Sequence, residues 1–377
     1  MRAAVPRRLK LLHVVFSLEP GGMENGVVNV ARRLPADEFE VHVCCLERGG
    51  AFVDRLPHPE NVVVLDKPPG FSVNAALGVA RHAQRIGADL LHPHNLGPLT
   101  YAAIGSGFGL WKPVLQGEHG VFQGDQTSPA RLRQRQRLYR CCRKIHTVSE
   151  SLRRYLIEHG FPAEKITAII NGVDTDRFRP ADKAAARAQL GLPTEGRFIG
   201  IVGRFDPNKK HRLLIEAFNR VAACLPDARL VIIGDKGAEK EKIQAAAQAS
   251  PARDRIHLAG FQPNPGPWYQ ALDLLAAPSI FEGLSNAVLE AMACGVPCLA
   301  HTACGNAEVI TSGVDGFLAA LDSEDGLAAE LRRVLTEAAE LARIGASARR
   351  RVTQDFSLDA MAANYARLYR EVAGRPF

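Results

Sequence analysis

One acid in an otherwise apolar octet is the first chemical signal in this sequence. From Ala287 to Cys294 every residue is apolar except Glu290, and Ser285 or Asn286 ahead of them is a good helix N-cap. A carboxylate in such a helix costs several kcal/mol, or takes up a proton, unless partners satisfy it. Glu282 stands eight residues earlier, in the loop that follows a strand and turns at Gly283. Two acceptor-only carboxylates near a helix N-terminus, with the Gly283, Leu284, Ser285 and Asn286 turn between them, suit a ligand that is anionic at one point and rich in hydroxyls on either side. A nucleoside diphosphate sugar has that chemistry. The competing reading pairs Glu290 with a core Arg and leaves Glu282 a solvated loop acid.

Positive charge comes from VGRFDPNKKH, where Arg204 and Lys209, with Lys210 beside them, follow a strand ending at Gly203. An Arg fork and a Lys point charge there would stabilise a diphosphate as it leaves, although basic residues before a helix are commonly just solvated. In the first half, Gly21 and Gly22 lie between a strand and a helix, where backbone amides can approach a phosphate or sugar closely. His92, His94 and His119 sit at strand ends. His119 could donate to a sugar hydroxyl or support an oxocarbenium-like state. Three histidines also raise the question of a metal, but their spacing fixes no ligand geometry, and hydrogen-bonded structural imidazole is the plainer account of His92 and His94. Asp174, Thr175 and Asp176 spell a D-x-D carboxylate pattern, but in the stretch that joins the two halves. With Arg204 and Lys209 supplying charge, no essential metal and no cofactor is expected.

These residues need a scaffold. Short apolar runs at 11–16, 41–46, 62–65, 89–91, 114–116, 145–148 and 166–170 alternate with helical patterns, and the rhythm resumes at 198–202, 230–233, 256–258, 272–276 and 297–300. Strand, helix, strand in that order predicts an α/β fold of two doubly wound, parallel-sheet domains, with a ligand cleft outside the strands' carboxyl ends. The turn-rich Asn171 to Pro180 marks the junction, giving domains 1–175 and 176–356. The length of 377 residues suits two such domains, and 46% hydrophobic with 23% charged residues is ordinary globular usage. The start of the chain reads as a first strand, since only Leu11 to Leu18 is apolar and Glu-Pro-Gly-Gly follows. Leu90 to Trp111 is free of charge but broken by His92, Pro93, His94, Asn95 and Pro98, so no membrane-crossing helix is expected. Eight cysteines without a C-x-x-C predict reduced thiols in a cytoplasmic chain.

Taken together, these segments resemble the retaining glycosyltransferases of family 4, which have the GT-B fold. The resemblance runs from the Gly-Gly turn at 21 to FSLDAMAANYARLY near the end, and is strongest in EGLSNAVLE, the family's E-x7-E motif, with EAMACGVP after it and CGNAEVI downstream. It implies that Glu290 binds the donor ribose, Glu282 the transferred sugar's hydroxyls, and Arg204 and Lys209 the diphosphate. Gly22 and His119 would complete the sugar end, and the last helix, in 357–377, would pack back on the first domain. The first domain would take the acceptor and the second the nucleotide sugar. Two departures stand out: Met-Glu-Asn follows the Gly-Gly turn where many relatives carry an Arg after the Glu, and LVIIGDKGAEK lacks the usual Gly-Pro after Gly-Asp.

The 47 basic and 40 acidic residues give +7, and the excess is N-terminal: 24 basic and 17 acidic residues in 1–180, against 23 and 23 in 181–377. Arg131, Arg133, Arg135, Arg137, Arg140, Arg143 and Lys144 fall within fourteen residues that contain no acid. Such a face could rest on anionic lipid head groups at the inner surface of the cytoplasmic membrane, as a lipid-linked or envelope polysaccharide acceptor would require. Nucleic acid is not expected as a partner, because aromatics are only 6% and no recognition module is visible. The alternatives are a nucleotide-sugar epimerase or hydrolase, and a carbohydrate-binding scaffold of the same fold.

Overall fold

The computed structural model describes residues 7–122, 124–280, 284–303 and 305–374. The chain divides into two units: residues 1–171 with 358–377, and residues 172–357. The division falls four residues before the boundary expected at 175, because Val173 already donates to the Phe356 carbonyl at 2.9 Å within the second unit.

In the first unit, β1 (Leu9–Val15), β2 (Phe39–Cys45), β3 (Val62–Val64) and β4 (Leu90–Pro93) form a parallel sheet in the order β3-β2-β1-β4. β5 (Leu115–Glu118), β6 (Lys144–Thr147) and β7 (Ile166–Ala168) form a second parallel sheet. Isolated bridges from Leu91 to Val114 and from His94 to Gly117 join the two along β4 and β5. The last helix, Leu358–Ala373, lays Met361, Tyr365, Leu368 and Tyr369 into the core shared by Leu9, Leu11, Leu90 and Leu115. Its period-3.6 apolar stripe is buried, and Arg370 ties it to Glu38 through two hydrogen bonds of 2.6 Å.

In the second unit, β8 (Arg197–Val202), β9 (Ala228–Ile233), β10 (Ile256–Gly260), β11 (Leu274–Ala277), β12 (Cys298–His301) and β13 (Phe317–Ala319) form one parallel sheet, ordered β10-β9-β8-β11-β12-β13. That is the doubly wound order whose switch point lies between β8 and β11, where ligands bind beyond the strands' carboxyl ends. The same switch lies between β1 and β4 in the first unit. β11 starts two residues later than its apolar run because Ala271 and Leu272 finish the preceding helix Gly266–Gln270. Asp273 then fixes the strand's entry by accepting from the Phe198 amide and pairing with Arg187 at 2.7 Å.

Among the described residues no helix is long and apolar enough to cross a membrane. Cys44, Cys45, Cys142, Cys294 and Cys298 are buried free thiols, and Cys224 is an exposed one.

Candidate functional site

In the second unit Arg204 and Lys209 follow β8, and Leu284, Ser285, Asn286 and Glu290 follow β11, the two strands that flank the switch point. Glu282 and Gly283 lie outside the described residues. Leu284 and Ser285 are buried, and Asn286 opens the helix Asn286–Ala293, whose Ser285 cap makes no side-chain bond to the first turn. Val288, Leu289, Ala291, Met292 and Ala293 bury that helix, while Glu290 is only partly buried. The Tyr269 hydroxyl donates to Glu290 Oε2 at 2.8 Å and is the carboxylate's only hydrogen-bond partner among the described residues. Burial pushes the Glu290 carboxyl up to about 7, against the downward pull of Tyr269 and of the Arg177 guanidinium. Arg177 is held by the Pro263 carbonyl at 3.0 Å and the Asn264 side chain at 3.3 Å, and makes no ion pair with Glu290. The competing sequence reading pairs Glu290 with a core Arg; among the described residues Arg177 acts on it only at a distance. A carboxylate poised this way keeps acceptor capacity for hydroxyls and gains a proton when nothing else satisfies it.

Arg204 follows β8, with its side chain 69% exposed and its Nε 3.1 Å from Asp206. The stem of Lys209 runs alongside Gly203, where a Cβ would meet the Lys209 methylenes at 3.5–3.8 Å. A loop from the next strand braces this segment: Phe205 donates to the Lys236 carbonyl at 2.7 Å, and a side chain at Gly237 would collide with the Phe205 backbone. That bracing uses glycines at φ +153° and +144°, Gly234 and Gly237. Lys210 takes a left-handed conformation at φ +60°, a strain of about 1–3 kcal/mol that clusters at ligand sites. Sequence reasoning missed His211 next to it. His211 is 2% exposed, both ring nitrogens lack a hydrogen-bond partner among the described residues, and burial with Lys209 nearby lowers its pKa to about 3. The D-x-D triplet acts locally, since Asp174 accepts from the amides of Asp176 and Arg177 and so closes a turn.

In the first unit, Gly21 caps the helix Gly22–Arg33 without a side-chain bond, and the Glu24 carboxylate folds back against Gly21. Burial raises the Glu24 pKa, opposed by a bond to its own backbone. The amide-rich helix start is thus partly covered by the chain's own acid. His119, just past β5, is partly exposed and lines an open cavity of about 570 Å³ with Phe16, Asn95, Gly97, Arg131 and Gln134. Asn95 was not singled out by sequence, yet its φ of +65° and ψ of 175° belong to a region that is almost glycine-only, at the mouth of this cavity. The tolerance of Asn for positive φ is the only signal that could have suggested it.

His119 is the outer end of a cluster of five imidazoles. Its Nε2 lies 2.8 Å from His94 Nδ1, His94 Nε2 lies 2.9 Å from His13 Nδ1, and His92 Nε2 lies 2.8 Å from His146 Nε2. Tyr369 on the last helix reaches His92 at 3.0 Å and His13 at 3.4 Å. The rings share one sheet face because His13 is in register with His92, His94 follows at i+2, and His146 is in register with Gly117. Burial lowers every one of these pKa values, that of His119 to about 4, so the rings are neutral near pH 7.

The basic run is less uniform than its sequence suggests. Arg135 is 3% exposed, stacks on Phe122 at 3.7 Å and reaches Gln126 and the buried Glu118. Lys144 pairs with Glu371 at 2.9 Å. Arg133, Arg137, Arg140 and Arg143 are exposed, so only part of the run forms an outward basic face.

Comparison with known proteins finds matches across both halves of the chain. Residues 182–351 match the model of glycosyl transferases group 1, and residues 20–177 match that of Glycosyltransferase Family 4. The D-inositol 3-phosphate glycosyltransferase of Mycobacterium avium is 34% identical over 244 residues, 60% of this chain and 55% of that protein. The lipopolysaccharide core biosynthesis mannosyltransferase LpsB of Rhizobium meliloti is 32% identical over 211 residues, 54% of this chain and 60% of that protein. The chain thus spans a little over half the length of the curated relatives it matches. Among solved structures, Anabaena Alr3699/HepE in complex with UDP and glucose superposes with a TM-score of 0.85 at 24% identity, over 97% of this chain and 100% of that one, and supports the fold. With one model matched across each half and two doubly wound parallel-sheet units in place, the chain belongs to the family 4, group 1 glycosyltransferases of the GT-B fold.

Proposed function

We propose that this protein is a hexosyltransferase that moves a sugar from a nucleoside diphosphate donor to a glycan or lipid-linked acceptor of the cell envelope, with retention and without a required metal. The observation that carries the reading is Glu290, a partly buried carboxylate bonded to a single phenol and unpaired with any cation among the described residues. The second unit would hold the donor, with Glu290 accepting from the ribose hydroxyls. The backbone of Gly283, Leu284, Ser285 and Asn286 would line the same pocket, and Glu282 would accept from hydroxyls of the transferred sugar. Arg204 and Lys209 would meet the negative charge that grows on the diphosphate as the sugar bond breaks, the role otherwise filled by a metal. His119, neutral near pH 7, would act as a hydrogen-bond partner at the sugar end, with the amides of Gly21 and Gly22 completing that end. No side chain is assigned as a covalent nucleophile; the leaving diphosphate would assist attack on the same face. The activities named for the mycobacterial and rhizobial relatives, on an inositol phosphate and a lipopolysaccharide core, support a polar or lipid-linked acceptor. Arg133, Arg137, Arg140 and Arg143 would serve a peripheral role at the inner membrane surface of a cytoplasmic enzyme, at about 1 kcal/mol per basic residue near anionic lipid.

The test is a panel of UDP-, GDP- and ADP-sugars, read by nucleoside diphosphate release and by thermal stabilisation. Release with one donor, raised by added glycolipid acceptor, is expected. No stabilisation and no release with any donor would remove the enzyme reading and favour a non-catalytic scaffold.

A further inference from the structure

We infer that His94, His119 and His146 form a binding site for one borderline divalent transition ion of the Zn²⁺ class, built over Gly117 in the first unit. The three residues can offer ring nitrogens that all lie within 4.8 Å of one another. Gly117 shows where these nitrogens converge. A Cβ built on it would lie 2.6 Å from His146 Nε2, 3.0 Å from His94 Nδ1 and 3.2 Å from His119 Nε2. Three imidazole nitrogens therefore line the open face of Gly117, on a side that a larger residue would block. Zinc–nitrogen bonds of about 2.0–2.1 Å need only small ring movements from that arrangement.

The outer contacts suit the same occupant. A metal-bound imidazole carries its proton on the far nitrogen and needs an acceptor there. His94 Nε2 lies 2.9 Å from His13 Nδ1, and His13 Nε2 in turn lies 3.4 Å from the Tyr369 hydroxyl. His146 Nδ1 lies 3.4 Å from the Tyr365 hydroxyl. His119 is the partly exposed member and lines the cavity through which an ion would enter. The ion would displace two imidazole–imidazole bonds, His94 to His119 and His92 to His146. Three neutral nitrogen ligands and no carboxylate in the group favour Zn²⁺, Co²⁺ or Ni²⁺ over Mg²⁺ or Ca²⁺. The second group of three, His13, His92 and His94, is wholly buried and shares His94, so it serves as outer support.

The consequence for activity rests on the glycosyltransferase reading. A fixed positive charge on His119 would oppose the positive charge that develops on the sugar, so the ion would inhibit transfer, and EDTA would restore it.

The experiment titrates chelator-stripped, tag-free protein with Zn²⁺ by calorimetry and with Co²⁺ by visible absorption. One saturable equivalent with ligand-field bands of a four-coordinate ion is expected, weakened at least tenfold in His119→Gln and in Gly117→Ala. Circular dichroism and melting check each fold; if Gly117→Ala does not fold, His119→Gln carries the comparison. Absence of a one-equivalent site, or equal affinity in folded His119→Gln, overturns the inference. Binding in a protein that processes no donor keeps the ion site and removes the enzyme reading, whereas turnover without ion binding removes the ion site alone.

Discussion

One polar cluster in each unit meets burial in an opposite way. In the first, five imidazoles and two phenols satisfy one another, and burial keeps the rings neutral. In the second, Glu290 has one phenol, a distant guanidinium and a carboxyl pushed up to about 7. A closed network holds its sheet and last helix in place. An open one leaves capacity that a ligand can take up, and this is why the donor is assigned to the second unit.

That contrast predicts where substitutions act. The largest effect is expected from Glu290→Ala and Lys209→Ala, each lowering donor binding or turnover at least tenfold with the melting temperature nearly kept; steady-state kinetics beside thermal melting measure this, and near-normal kinetics in both would erase the site. Tyr369→Phe should do the reverse. It removes the hydroxyl shared by His92 and His13, leaves buried nitrogens unsatisfied, and should cost about 1–3 kcal/mol of stability with little change in donor affinity. Denaturant unfolding beside a donor titration separates the two, and a stability loss below measurement would show that the cluster does not hold the helix.

A smaller effect follows from pH. The folded pKa of Glu290, about 7, lies above the ordinary value of 4.5, so the folded state holds the proton more tightly than the unfolded one. Its stabilising contribution is complete below about pH 4.5 and is lost as pH rises through 7. Glu290→Gln should therefore gain stability relative to the parent between pH 5.5 and pH 8 without donor, as melting curves across that range would record; parallel curves would contradict the raised pKa. The smallest effect is expected from Tyr269→Phe, which removes a bond that favours the ionised carboxylate. The apparent pKa for donor binding should move upward and affinity at pH 7 should fall a few-fold; an unchanged pH profile would count against the Tyr269 contact.

How far the sequence could foresee this depends on whether each feature is local. The strand and helix alternation, the parallel sheets and the lone acid at 290 were legible because period and burial are written within a few residues. β13 was not, since Phe317–Ala319 is three residues long and carries no period. The partners of Glu290 were also hidden: Tyr269 and Arg177 come from other segments, and only the fold brings them near. His92, His94 and His119 were visible, but His13 and His146 join them through strand register, which no spacing announces. Arg135 and Lys144 looked like surface charge because their acids, Glu118 and Glu371, lie on other elements.

The central claim is that Glu290 is ionised when it receives the donor. Calorimetric binding of UDP, GDP or ADP at pH 7, repeated in buffers of different ionisation enthalpy, tests it directly. For a carboxyl near pH 7, binding should release about half a proton in the parent and none from this source in Glu290→Gln. Equal proton release in parent and variant, with equal affinity, would contradict the account.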